Sequence, residues 1–277
     1  MVEYLTSLLR SHRVAILSRG YGRTSRGFRV ASATDTAQTI GDEPMQYYRK
    51  FEGRVPVVVC EDRAMAIPLI IDQFPDTDVV LLDDAYQHRR VKAAFNLLLT
   101  EFSDPFYNDF ILPAGRLREW RSGARRAHAV VVTKTPQGVT AERLTGVGKK
   151  IRKYTDCPLY FTGIRYHEPV ATGNAMTITG RQVIVVTAIA NARPFVKYLE
   201  ERYEIVKHLQ FRDHHDYNLG DVEQLKMLSA KYPAAVILTT EKDITKLSGE
   251  LLREHSAALP LFYVPITPAV RRGWFKI

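Results

Sequence analysis

A mixed α/β fold with parallel sheets, in a larger and a smaller part, is what this amino-acid sequence predicts, and three features predict it. Short runs such as Val14-Ala15-Ile16-Leu17 and Val79-Val80-Leu81-Leu82 are apolar at every position, which suits strands covered on both faces. The stretches between such runs carry apolar residues at helical spacing, beginning with Val2, Leu5, Leu8 and Leu9. After a Gly/Thr-containing interruption at 172–180 the alternation of strand and helix resumes, the pattern of a second α/β set.

Taken in order, the chain opens on a helix and a strand, Val14 to Leu17, followed by the turn Ser18-Arg19-Gly20-Tyr21-Gly22-Arg23. Gly41-Asp42-Glu43-Pro44 starts a helix running to Phe51, with proline at an early position where its missing N–H does no harm. Val55 to Cys60 reads as a strand, Asp62 to Phe74 as a helix and Asp78 to Leu82 as a central strand buried on both faces. Phe95 to Thr100 and Ala129 to Thr133 extend the sheet, separated by a long loop from Glu101 to Trp120; loops of that length inside a domain usually serve function. Thr140 to Tyr154 is helical and Leu159 to Tyr166 extended. The later strands are Gln182 to Val186, Tyr203 to Leu209, Ala235 to Thr239 and Leu261 to Val264, alternating with helices Arg193 to Arg202, Leu219 to Tyr232 and Ser248 to His255. The division implied is 1–168 for the first domain and 169–277 for the second.

Composition narrows the function classes. Hydrophobic content of 45% with 25% charged residues is ordinary for a globular protein and excludes a disordered chain. The formal charge of +9 favours an anionic partner. Arg13, Arg19, Arg23, Arg26 and Arg29 occur without an intervening acid, and Arg116, Arg118, Arg121, Arg125 and Arg126 face only Glu119. Such clusters suit forked phosphate contacts or are simply solvated. Two cysteines make no disulfide framework, so a reducing compartment is expected. The apolar run Ala64 to Ile71 contains Pro68 and falls short of the ~20 residues a spanning helix needs.

Asp83 and Asp84 follow the central strand at its carboxyl end, where α/β sheets bind ligands. Two carboxylates there suit Mg²⁺ beside a phosphate, or else a turn cap. Asp42 reads as a helix cap or as a base facing a cleft. Phe211-Arg212-Asp213-His214-His215-Asp216-Tyr217 sets two histidines among acids without the spacing of a zinc protease. Lys242 in Thr240-Glu241-Lys242-Asp243 could meet a phosphate or pair with a neighbouring acid.

In this order, Ser18-Arg-Gly-Tyr, Gly41-Asp-Glu-Pro, Asp83-Asp-Ala-Tyr-Gln-His-Arg, Leu112-Pro-Ala-Gly-Arg-Leu-Arg-Glu, Asp213-His-His and Thr240-Glu-Lys-Asp closely resemble the tetraacyldisaccharide 4′-kinase family over nearly the whole chain. The resemblance implies a P-loop-kinase-like parallel core with a smaller C-terminal α/β domain, joined by a two-stranded hinge, the active site lying in the cleft. It implies ATP- and Mg²⁺-dependent phosphorylation of the 4′-hydroxyl of an acylated disaccharide 1-phosphate in lipid A biosynthesis. Carried over by motif, Asp42 is the general base, assisted by His214. Glu119 is a further active-site residue, Gln87 and Asp84 serve the nucleotide, and Asp83 and Asp84 the metal. Arg19, Arg116 and Arg118 are assigned to substrate or phosphate. The location implied is peripheral, on the cytoplasmic face of the inner membrane at an anionic surface, with no nucleic acid as partner.

The sequence departs from the family in lacking a G-x-x-x-x-G-K-[ST] motif anywhere. The family carries its P-loop, its first strand and a membrane-associated helix before the helix that here begins at Met1. The expectation drawn is an N-terminally truncated chain with impaired activity and a cytoplasmic location. Smaller departures are Trp120 where a proline is usual, Tyr86 for Phe and Ala188 for Gly. The alternative reading is a non-catalytic relative that binds anionic lipid or nucleic acid through its arginine clusters.

Overall fold

The computed structural model describes residues 1–172, 177–247 and 250–270. By contacts the chain divides into two units: Met1–Arg19, Asp62–Arg165 and Thr267–Ile277 form the first, Gly20–Glu61 and Tyr166–Ile266 the second. The sequence reading placed one division after residue 168; the contacts also move the segment Gly20–Glu61 into the second unit.

In the first unit, strand Val14–Ser18 pairs in parallel with Val79–Leu82, from Val14 opposite Val79 to Leu17 opposite Leu82. A separate parallel set runs Leu97–Glu101, Ala129–Thr133, Leu159–Tyr166, with Ile266–Val270 at its far edge. Its core gathers Val130, Val132, Leu144, Ile151 and Phe161. Helix Arg63–Gln73 begins as predicted at Asp62, whose carboxylate accepts from the Ala64 and Met65 amides at 3.0 and 3.3 Å.

One expectation is corrected here. The strand Val79–Leu82 is half-buried along its whole length, not covered on both faces. Its free edge and that of Leu97–Glu101 line the same cavity of about 1240 Å³. A strand next to open volume keeps its backbone order and loses part of its cover.

The second unit holds a sheet ordered Glu204–Gln210, Gln182–Thr187, Val236–Thr240, Leu261–Val264, Val170–Ala171; the last strand alone runs antiparallel to its neighbour. Side chains alternate faces along a strand. Ile184 and Val186 therefore enter one cluster with Val222, Leu225 and Ile237, while Val183 and Val185 enter another with Phe195, Leu199 and Leu238. The segment Gly20–Glu61 adds an antiparallel pair, Arg29–Val30 with Val57–Val59, and helices Ala37–Ile40 and Asp42–Lys50. A short helix, Glu241–Leu247, follows Val236–Thr240 without a loop; the sequence reading did not foresee it. Of the predicted helix Ser248 to His255, residues 248 and 249 lie outside the described residues, and Glu250–Ser256 is helical.

Candidate functional site

The second unit assembles the first group of candidate residues on two helix starts and one loop. Gly41 has φ of +100°, and a Cβ there would stand 3.0 Å from the Gly20 Cα. The glycines of Ser-Arg-Gly-Tyr and Gly-Asp-Glu-Pro therefore let two backbones meet at van der Waals distance. Asp42 follows at the first helical position. It is no helix cap: Gly41 is the capping residue and has no side chain to bond with.

Instead the Asp42 carboxylate, with 14% of its side chain exposed, turns to two donors. His214 Nδ1 lies 3.0 Å and Lys246 Nζ 2.9 Å from Oδ2, and Oδ1 has no hydrogen-bond partner among the described residues. Lys242 Nζ is 3.2 Å from His214 Nε2. The same ammonium is 3.4 Å from Nδ1, so Lys242 lies beside the edge of the ring that faces Asp42 through Nδ1. His214 itself has φ of +59°, a conformation rarely kept by a non-glycine residue unless its surroundings impose it.

The two lysines come from one motif. In Thr240-Glu-Lys-Asp, the Thr240 hydroxyl donates to the Asp243 carboxylate at 2.7 Å and accepts from the Asp243 amide at 3.1 Å, a reciprocal cap. Burial raises the pKa of Asp243, opposed by bonds from Thr240 and the Ala188 amide. Glu241 holds Lys50 at 2.7 Å, and Arg49 donates to the Thr245 carbonyl at 2.5 Å, so helix Asp42–Lys50 is tied along its length to Glu241–Leu247. Lys242 and Lys246, four apart, then share a face toward the dyad. Lys246 was missed in the sequence; its one signal, i, i+4 spacing from Lys242, needs a helix that seven residues do not advertise. His215 has other employment. It stacks on Phe211 at 4.5 Å and meets Asp221 at 2.9 Å, bracing the cap of helix Leu219–Lys231.

The first unit assembles the second group. Asp83 follows its strand and accepts from the Ser18 hydroxyl at 3.3 Å. Asp84, with φ of +45° and a side chain 65% exposed, is held by both terminal nitrogens of Arg118. This pairing raises the Arg118 pKa through the hydrogen bond to Asp84, against burial. Arg126 donates to both oxygens of Glu119 at 2.8 Å and lies 4.8 Å over the Tyr86 ring. Burial pushes the Tyr86 hydroxyl up to about 12, and it donates to the Gly123 carbonyl at 2.9 Å, a bond a phenylalanine would not make. Arg116 is engaged within its own loop by Asp104 and Asp109, and Arg19 is exposed beyond the end of its strand.

Asp83, Asp84, Gln87, His88 and Arg118 all line the cavity beside the strand Val79–Leu82. Gln87 Oε1 and His88 Nε2 are buried there without a hydrogen-bond partner, and buried polar atoms are rarely left so unless something else supplies the bond. For Mg²⁺ the donors fit in part. Mg²⁺ usually keeps several waters and takes one or two carboxylates beside phosphate oxygens. Asp83 brings a carboxylate bonded to Ser18, and Asp84 one that would exchange Arg118 for the ion. No group of three or more His, Cys, Asp or Glu is placed to hold a metal among the described residues.

Parallel α/β sheets with a carboxylate pair at the end of one strand are an arrangement that P-loop kinases share. The family model for tetraacyldisaccharide-1-P 4′-kinase (LpxK) matches residues 1–276. The tetraacyldisaccharide 4′-kinase of Cytophaga hutchinsonii is 42% identical over 92% of this chain and 72% of its own length. That of Flavobacterium johnsoniae is 38% identical over 96% and 76%. A crystal structure of the "apo" form of LpxK from Aquifex aeolicus in complex with ATP superposes with a TM-score of 0.72 at 28% identity, covering 98% of this chain and 79% of that one. The chain belongs to the tetraacyldisaccharide 4′-kinase family. It is an ATP-dependent kinase of lipid A biosynthesis, as its motifs implied, and nothing in these matches favours the non-catalytic alternative.

Proposed function

We propose that the chain phosphorylates the 4′-hydroxyl of a tetraacyldisaccharide 1-phosphate, with Asp42 as general base. The observation that carries this reading is the arrangement of Asp42: Oδ2 is fixed by His214 and Lys246 at 3.0 and 2.9 Å. A sugar hydroxyl attacks only as its proton leaves, and a carboxylate held at one oxygen can accept that proton at the other. His214 orients the base, and Lys246 holds the same oxygen. Among the described residues Lys242 has no acid closer than 3.8 Å, the distance to Asp213, which suits a cation that serves an anionic group of the reactants.

In the other unit, Asp83 and Asp84 are assigned to Mg²⁺, and Gln87 and His88 to the nucleotide. When bound, ATP and its metal supply the phosphoryl group and spread its charge. Arg118 keeps Asp84 in place until then, and Arg126 does the same for Glu119. Arg19 and Arg116 are assigned to substrate phosphate. The acyl chains place the enzyme peripherally at an anionic membrane surface; no helix among the described residues is long and apolar enough to cross a membrane.

Transfer of labelled phosphate from ATP to the acceptor in mixed detergent micelles tests the reading. Asp42→Asn, which keeps an oxygen for Lys246 and His214, is expected to lower kcat by about 10²- to 10⁴-fold. Transfer at the wild-type rate in this variant removes Asp42 from the role.

A further inference from the structure

The loop that carries Arg116, Arg118 and Glu119 also holds three large apolar side chains out in solvent. Phe110 is 62%, Leu112 57% and Trp120 72% exposed. They stand on an ordered frame: the Leu117 amide donates to the Phe110 carbonyl and the Leu112 amide to the Leu117 carbonyl, both at 2.9 Å. From Gly115 onward exposure alternates, with Arg116, Arg118 and Trp120 more exposed than Leu117 and Glu119. Arg121, next to Trp120, donates to the Asp109 carbonyl at 3.0 and 2.7 Å and lies 5.2 Å over the Phe110 ring. Arg121 thereby ties the stretch that ends at Trp120 back to Asp109 and Phe110. Arg125, just beyond, is exposed and without an ion pair among the described residues.

We propose that this loop docks the enzyme on an anionic bilayer, with Phe110, Leu112 and Trp120 entering the boundary between headgroups and acyl chains. The proposal rests on the reading of the acceptor as an acylated lipid. Aromatic rings with arginines beside them match that boundary, where one end of the contact is apolar and the other charged. A bilayer is favoured over a protein partner because the acceptor itself lies in one, and because the chain carries a net +9.

The chain has two tryptophans, so a Trp274→Phe variant reports Trp120 alone. Vesicles of phosphatidylethanolamine with phosphatidylglycerol are expected to shift its emission to the blue, and brominated acyl chains to quench it. Replacing Phe110, Leu112 and Trp120 together by serine is expected to lower co-sedimentation with these vesicles at least ten-fold; Trp120→Ser alone serves if the triple variant does not fold. Trp120 emission indifferent to the vesicles, or co-sedimentation unchanged in the variant, overturns the proposal. Phosphate transfer in detergent micelles separates the two readings. Transfer without vesicle docking sinks the role of the loop and leaves the acceptor intact, whereas vesicle docking that the serine variant loses supports the loop whatever the acceptor.

Discussion

Two strands of nearly the same composition, Val183-Ile184-Val185-Val186 and Val79-Val80-Leu81-Leu82, meet different fates in this molecule. The first is wholly buried, every residue at 0% exposure, between two strand neighbours and under helices on both faces. The second has one pairing partner in its unit, borders a cavity of about 1240 Å³ and is half-buried throughout. Burial is a property of neighbours as much as of residues. The closed sheet makes a rigid base from which Glu241–Leu247 presents Lys242 and Lys246 to Asp42 and His214. Beside the open edge, polar atoms of Gln87 and His88 are left unbonded and Asp84 takes a strained backbone. One region has its partners in place; the other keeps polar atoms without them.

This contrast can be broken by mutation. The largest expected effect is in the closed sheet: Leu238→Ala should lose about 2–5 kcal/mol by urea unfolding, because its surroundings cannot collapse into the space left. Leu81→Ala, beside the cavity, should lose less than about 1.5 kcal/mol. Equal losses would show that the open edge is packed as tightly as the closed sheet.

Gly41→Ala comes next. It must carry a Cβ at φ of +100° into the Gly20 backbone, and about 1–3 kcal/mol of strain is expected. Because Asp42 follows directly, kcat should fall further than stability alone accounts for. A variant with wild-type kcat would show that the base does not depend on this backbone approach.

The smallest effect is a pH dependence. His208, on the strand Glu204–Gln210, meets the Thr187 hydroxyl at 2.9 Å, and burial lowers its pKa below 6.5. The folded state thus binds its proton less readily than the unfolded state. The stability this residue contributes is present above pH 6.5 and declines as pH falls toward the depressed value. The urea midpoint of the wild type should drop more between pH 7.5 and 5.5 than that of His208→Gln; parallel drops would exclude His208 as the source.

Much of the candidate site was legible in the chain because its motifs are local. Gly41-Asp42 announces a tight turn into a helix, and Asp83-Asp84 the end of an apolar strand. The rest was not legible, for identifiable reasons. Lys246 belongs to a helix of seven residues, too short to show a period, and its partner Asp42 is 204 positions away in the chain. His214 and His215 carry identical side chains in sequence, yet one faces Asp42 and the other is clamped by Phe211 and Asp221. The exposure of Phe110, Leu112 and Trp120 is hidden as well, since apolar residues in a long loop read equally as buried plugs.

By itself the sequence determined the alternation of strands and helices, the family and the chemistry of the individual groups, because these depend on side-chain type and on spacings of a few residues. Tertiary structure alone decided which strand keeps an open edge, which oxygen of Asp42 is already held, and which histidine meets it. Those are matters of neighbours brought together over long stretches of chain, and no local pattern encodes a distance between groups that only folding makes adjacent.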